Sequence, residues 1–258
     1  AKQKGYLSAE DAVKAFIVAV KTGNDKELVS IFGPAVKAVI FSGDPVSDRE
    51  RREKFLASYD AKNSLVREGK KMVLLTGEKD WPFPIPLVKD GDQWVFDTKA
   101  GMEEILNRRI GENELSAIET MLAIVDAERE YAMKYHGRDS LPEYAQKFMS
   151  DPGKKNGLYW ETKGGEEPSP LGELLVKARA EGYAQQKSKD KPVPYHGYYY
   201  RILKAQGKNA PGGAHDYLVK GRMMGGFAVV AYPAKYGNSG VMTFMVNHDG
   251  VVYEKDLG

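Results

Sequence analysis

The chain contains no cysteine. That excludes a disulfide framework, a zinc ribbon, an iron–sulfur cluster and a thiol nucleophile. Excess charge is almost absent as well: 38 basic against 36 acidic side chains leave a formal +2. The usual electrostatic footprint of a nucleic-acid binder is therefore missing. No apolar run approaches the roughly 20 residues needed to cross a bilayer, so no transmembrane segment is expected. Histidines are few: His136, His196, His215 and His248. No two stand at i,i+4 and no HExxH occurs, which excludes a zincin-type site. What remains is 258 residues, 42% hydrophobic and 29% charged. That is ordinary globular composition, with chain enough for one large domain or two small ones.

Helical signals dominate the start. Ser8 caps, Glu10 and Asp11 sit in a first turn, and Val13, Phe16, Ile17 and Val20 recur at helical spacing before Gly23. A shorter helix ends at Gly33-Pro34, Ser42–Pro45 reads as a turn, and Val46–Lys62 as a charged helix burying Phe55, Leu56 and Tyr59. From Ser64 the period changes. KMVLLT (71–76) is β-like, and Asp90-Gly91 between two apolar runs signals a hairpin. Pro82, Pro84 and Pro86 keep the approach to Leu87 at a sheet edge.

Lys99–Ile110 reads as a helix stopped by Gly111, with Asn113 capping the next; the domain boundary is placed there. The following helix carries two stripes: Leu115, Ile118, Leu122 and Val125, and Met121, Ile124, Tyr131 and Tyr135. Together they predict a wide buried face laid across a sheet. Leu141–Met149 is expected as a short helix, Leu158–Trp160 as a strand and Ser169–Gln185 as a helix with Leu171, Leu174, Leu175 and Ala178 inward, before a polar connector from Gln185 to Pro194. The remainder is β-rich, closing on a second hairpin at Asp249-Gly250.

Motifs of chemistry fail their context tests. Asn247–Gly250 lacks the first and last ligands of a calcium loop. Gly237–Gly240 lacks the second glycine and the helix of a nucleophile elbow, and Ser188 with Lys191 lies in the connector. No metal site is expected. The acidic pairs Glu103-Glu104, Glu128 with Glu130, and Glu166-Glu167 are read as solvated surface. No catalytic residue is assigned and no cofactor is implied. Aromatics are the one enriched class: Trp81, Phe83 and Trp94 near one sheet, and Tyr195, His196, Tyr198, Tyr199 and Tyr200 at one strand start. Three consecutive tyrosines on a strand must serve both faces. These eight residues are the candidate ligand-binding set, suited to a glycan, a peptide or a lipid.

SGDPVSDRERREKFLASYD (42–60), DWPFPIPLVKDGDQWVFDTKAGMEEILNRRIGENEL (80–115) and GGFAVVAYPAKYGNSGVMTFMVNHDGVVYEKDL (225–257) resemble an exported bacterial family, domain of unknown function twenty-nine-fifty. The resemblance implies export and two α+β domains. It implies no activity. ENELSAIETMLAIVDAEREYAMKY (112–135) with the closing sheet resembles the globular part of type IV pilins and pseudopilins. Pilins carry a wholly apolar helix half before that segment, where this chain has KAGMEEILNRRIG, so only the fold carries over.

The expectation is thus an α+β protein with an N-terminal domain over 1–111, helices plus a small antiparallel sheet of cystatin-like or nuclear-transport-factor-like type. A C-terminal domain over 112–258 is expected to set a pilin-like long helix on an antiparallel sheet. Opening at AKQKG without an initiator methionine, the chain reads as an exported product, periplasmic or envelope-associated, from which a signal segment has been removed. The expected role is non-catalytic binding or scaffolding in the cell envelope, with an envelope glycan, peptide or protein as partner. The alternative is an envelope hydrolase whose carboxylates and histidines converge only in the fold.

Overall fold

The computed structural model describes residues 3–135, 141–183 and 192–258. His136, Ser188, Lys191 and most of the polar connector lie outside them. The chain is α+β, combining helices with antiparallel sheets. It divides into two compact units, Ala1–Gly111 with Gly237–Ser239, and Glu112–Tyr236 with Gly240–Gly258. Among the described residues no helix is long and apolar enough to cross a membrane.

The first unit opens with α1 (Ala9–Lys21), α2 (Asp25–Phe32), the short α3 (Lys37–Ile40) and α4 (Pro45–Ala61). Local chemistry sets their ends. Ser8 Oγ accepts from the Asp11 amide, 3.0 Å, and Asn24 Oδ1 from the Glu27 amide, 3.0 Å. Asp44 is more than part of a turn: its Oδ1 accepts from the Val46 and Ser47 amides, with Pro45 at the first helical position. Strands β1 (Asn63–Glu68), β2 (Lys71–Thr76), β3 (Trp81–Pro82), β4 (Leu87–Asp90) and β5 (Gln93–Phe96) form a sheet of order β1-β2-β4-β5, with β3 on β2. Gly91, at φ +61°, turns the β4–β5 hairpin. The apolar face of α1 fills the core, where the Phe16 ring lies 5.0 Å from Phe32, 5.3 Å from Phe55 and 5.1 Å from Phe83.

Helix α5 (Thr98–Lys134) corrects the expected stop at Gly111 and cap at Asn113. Gly111 keeps a helical backbone, and Asn113 is buried inside the helix. An interior glycine costs about 1 kcal/mol against alanine. The helix formers around it outweigh that, and no proline follows.

The second unit uses the Met121, Ile124, Val125, Glu128 and Tyr131 stripe of α5 as its core face. Leu115 and Leu122, expected in that face, are exposed, because the covered stripe is narrower than the apolar one. After α6 (Gly172–Ala180) come β6 (Tyr198–Leu203), the ribbon of β7 (Ala205–Gln206) with β8 (His215–Asp216), and the ribbon of β9 (Leu218–Val219) with β10 (Arg222–Met223). Strands β11 (Ala228–Pro233), β12 (Met242–Asn247) and β13 (Val252–Asp256) complete a four-stranded sheet of order β13-β12-β11-β6. Leu141–Met149 is not a helix and Leu158–Trp160 is not a regular strand; a single bridge joins Met149 to Tyr159. Glu128 corrects the reading of solvated acids. It is fully buried in this core.

Candidate functional site

The tyrosine run begins in a strained turn. His196 and Gly197 hold φ at +48° and +75°, while Tyr195 and Tyr198 exchange backbone hydrogen bonds of 2.8 and 3.1 Å. Two central residues at positive φ make a type I′ hairpin turn. A side chain in that region costs about 1–2 kcal/mol, and histidine is among the few residues found there. Contacts around His196 offset the cost. Its Nε2 lies 3.3 Å from Glu181 Oε2, an ion pair when the imidazole is protonated, and both side chains are largely buried. Its backbone amide donates to Tyr183 Oη at 3.2 Å. The Tyr195 ring packs 4.2 Å from the imidazole and 4.9 Å from the Tyr183 ring.

Strand alternation then distributes the tyrosines. Tyr198 points inward, fully buried, its ring 5.8 Å from Phe244 and its Oη donating to the Met242 carbonyl at 2.9 Å. Burial pushes its hydroxyl pKa far up, with the Glu114 charge adding to it. Tyr199 points to the opposite face and stacks at 5.6 Å on Tyr232. Tyr200 turns inward beside the core and donates to the Tyr195 carbonyl at 3.4 Å.

Tyr195, Tyr199 and Tyr200 line one wall of a groove of about 270 Å³. Thr120 and Ile124 of α5, Leu174, Leu175 and Ala178 of α6, Phe148, Met149, Leu171, Tyr183 and the Pro192–Pro194 segment line the rest. Among the described residues its lining holds no charged side chain. Two larger clefts of the same unit, about 610 and 590 Å³, share Tyr159, Glu161 and Arg179 and mix both signs of charge. Cations cover their aromatic rings: the Arg179 guanidinium lies 5.1 Å from the Tyr159 ring and Lys155 Nζ 5.3 Å from that of Trp160. A cleft of about 330 Å³ along α1 in the first unit is rimmed by Glu10, Lys14 and Lys21. Of these four clefts the tyrosine groove is the one with no charged side chain among its described lining residues.

The eight sequence-derived residues fall into two sets. Trp81, Phe83 and Trp94 belong to the first unit: Trp81 is exposed on β3, Phe83 lies in the phenylalanine core, and Trp94 stands on β5 with Lys89 Nζ 5.9 Å from its ring. The other five belong to the second unit, where the groove uses Tyr195, Tyr199 and Tyr200, His196 adjoins it and Tyr198 turns away. His215 and His248 flank the Tyr217 ring at 5.4 and 6.2 Å. Among the described residues no group of three histidine, aspartate or glutamate side chains could hold a metal ion. Sequence reasoning missed Phe148, Glu181 and Tyr183. It placed Leu174, Leu175 and Ala178 inward at helical spacing, and nothing in that spacing distinguishes a groove wall from a sealed core.

No curated protein and no solved structure matches the chain. One family does, over residues 3–258. The chain belongs to the family described as "Protein of unknown function (DUF2950)".

Proposed function

We propose that this protein is an exported, non-catalytic binding protein of the bacterial cell envelope that takes a short apolar anchor, an acyl tail or an aromatic side chain, into the tyrosine groove. The lining of leucine, isoleucine, proline and tyrosine, uncharged among the described residues, carries this reading. At about 270 Å³ the groove is smaller than the roughly 300–1,000 Å³ of drug-sized pockets. It suits four to six methylenes or one ring. At about 0.8 kcal/mol per buried methylene that gives about 3–5 kcal/mol before association costs, so the anchor alone binds weakly. The tyrosine hydroxyls add polar edges that fix orientation. The helix-then-sheet order of the second unit supports a pilin-like domain, and that of the first a cystatin-like or nuclear-transport-factor-like one.

Titration of the full chain with phenylnaphthylamine, a dye that brightens in apolar surroundings, tests the groove. Saturable binding is expected, displaced by short fatty acids and weakened about tenfold or more by Leu174→Glu. Trp81→Ala, in the first unit, is expected to leave it unchanged. Equal dye binding by wild type and Leu174→Glu, with both melting alike, would remove the groove from the argument. Fractionation of cells expressing the full-length gene tests export: purely cytoplasmic protein defeats it.

The Glu181–His196 pair favours the second reading, an envelope hydrolase with His196 as general base oriented by Glu181. Turnover of chromogenic ester, glycoside or peptide substrates that disappears in His196→Gln would establish it in place of the first.

A further inference from the structure

The four-stranded sheet of the second unit has one face on the core and one that no helix covers among the described residues. Register sets Arg201, Val230, Met245 and Tyr253 in a single row across β6, β11, β12 and β13. Tyr199 and Tyr232 stack beside one end of it, and Thr243 pairs with Lys255 near the other. The inward residues of the central strands, Val229, Ala231, Phe244 and Val246, are at most 1% exposed. On the outward face Tyr232 is 41% exposed, Met245 48% and Tyr253 56%. Such a contiguous apolar strip on a sheet marks an interaction surface.

Its chemistry narrows the partner. No carboxylate stands at an outward position of the four strands. Beyond their backbone pairing in the sheet, the side chains of Arg201 and Lys255 make no ion pair or hydrogen bond among the described residues. Tyrosine, methionine and arginine are the types enriched where proteins meet proteins. A second copy of this chain packed face to face would bring these outward cations together with no acid at an outward position of the strands, the exposed Glu254 and Asp256 of β13 standing at the alternate positions. An anionic membrane surface is held by clusters of roughly four to eight cations, and this face has two.

We propose that this face docks an acidic segment of another protein, with its apolar side chains on the Val230–Met245–Tyr253 row and its carboxylates at Arg201 and Lys255. The strip spans four strands, about 14 Å at the spacing of paired strands. That width fits one extended or helical segment. Tyr199 stands both beside this strip and in the groove wall, but none of Arg201, Val230, Met245, Tyr253 and Lys255 lines the groove.

The test uses the immobilised full chain and a random copolymer of glutamate and tyrosine as the probe. Binding is expected to fall about tenfold or more in Met245→Ala/Tyr253→Ala and in Arg201→Glu/Lys255→Glu, and to weaken with added salt. All four positions are outward on the sheet, so wild-type melting curves are expected for both variants and are measured alongside. Polyglutamate without tyrosine is expected to bind at least about tenfold more weakly. Three outcomes overturn the proposal: no copolymer binding; dextran sulfate or phosphatidylglycerol vesicles binding as tightly as the copolymer; or a dimer in sedimentation that Tyr253→Glu dissolves, which would give the face to a second copy.

Discussion

Glu128 Oε2 accepts a hydrogen bond from the Ala145 amide at 2.8 Å, while its other oxygen, Oε1, is buried with no hydrogen-bond partner among the described residues. The residue pins the Leu141–Met149 segment to α5 in the middle of an otherwise apolar core. Burial is the main cause that lifts its pKa from 4.5 to about 8, and the Ala145 amide opposes the rise. At neutral pH the group is a neutral acid.

That shift fixes a pH dependence. The folded state holds the Glu128 proton more tightly than the unfolded chain, so the stabilisation is complete below about pH 4.5 and is lost as pH rises towards about 8. Across that window the loss reaches up to about 1.4 kcal/mol per pH unit. Glu128→Gln keeps the shape and one acceptor but cannot ionise. Denaturant unfolding of both proteins from mildly acid to mildly alkaline pH is expected to show a steeper decline in the wild type, with the variant the more stable at the alkaline end. Parallel curves would mean that Glu128 is ionised in the fold.

Gly101 reverses a general rule. Glycine to alanine inside a helix ordinarily gains up to about 1 kcal/mol. Here a Cβ would run into the Pro84 carbonyl oxygen and stand 2.7 Å from Ile85 Cα, and both neighbours are backbone. Gly101→Ala is therefore expected to destabilise the first unit by about 1–3 kcal/mol, the usual cost of overpacking. Gly111→Ala, whose Cβ would meet no described atom within 4 Å outside its own stretch of helix, is expected to stabilise. Thermal melting of the two variants side by side checks the opposite signs.

Glu114 Oε1 accepts from the backbone amides of Val241 and Met242, at 2.9 and 3.0 Å, where β12 begins. Hydrogen bonds to a charged acceptor contribute about 1.5–3 kcal/mol each. Glu114→Ala leaves two amides to find water or go unpaired and is expected to cost about 2–4 kcal/mol, less than the two bonds summed because the site is only part-buried. Glu114→Gln keeps the accepting oxygen and is expected to cost less than half as much. Equal losses in urea titration would show that the charge, and not the oxygen's position, holds the strand.

Local chemistry was legible in the sequence; long-range context was not. Ser8 with Asp11, Gly91 in its hairpin and the apolar period of α1 carry their signals within a few residues, and each element forms where those signals lie. The Gly111–Asn113 pair carries an equally local stop signal, yet α5 runs through it. Leu115 and Leu122 share the period of the buried stripe, but which neighbours exist to cover them is a property of the whole fold. Glu128 could not be told from Glu130 by its neighbours; Ala145, seventeen residues away, makes the difference. For the groove, the tyrosine strand was visible as a cluster. Its opposite wall on α5 and α6 was not, because helical spacing says which side is apolar and not whether that side is sealed.

Gly240 and Tyr198 share one space. A Cβ on Gly240 would collide with the Tyr198 hydroxyl and stand 2.7 Å from its ring carbon Cε2. Gly240→Ala must therefore displace a fully buried ring whose hydroxyl donates to the Met242 carbonyl, and it is expected to cost about 2–4 kcal/mol through overpacking and the lost bond. Tyr198→Phe removes only the hydroxyl and is expected to cost about 1–3 kcal/mol, with no relief of the collision, since the ring carbon remains. Tyr198→Ala opens a cavity at a cost of about 3–5 kcal/mol. In the double variant Gly240→Ala/Tyr198→Ala the new methyl group occupies part of that cavity, so the combined loss is expected to fall short of the sum of the single losses by at least about 1 kcal/mol. A double-mutant cycle in urea measures the coupling. Strict additivity would mean that the ring does not occupy the space above Gly240.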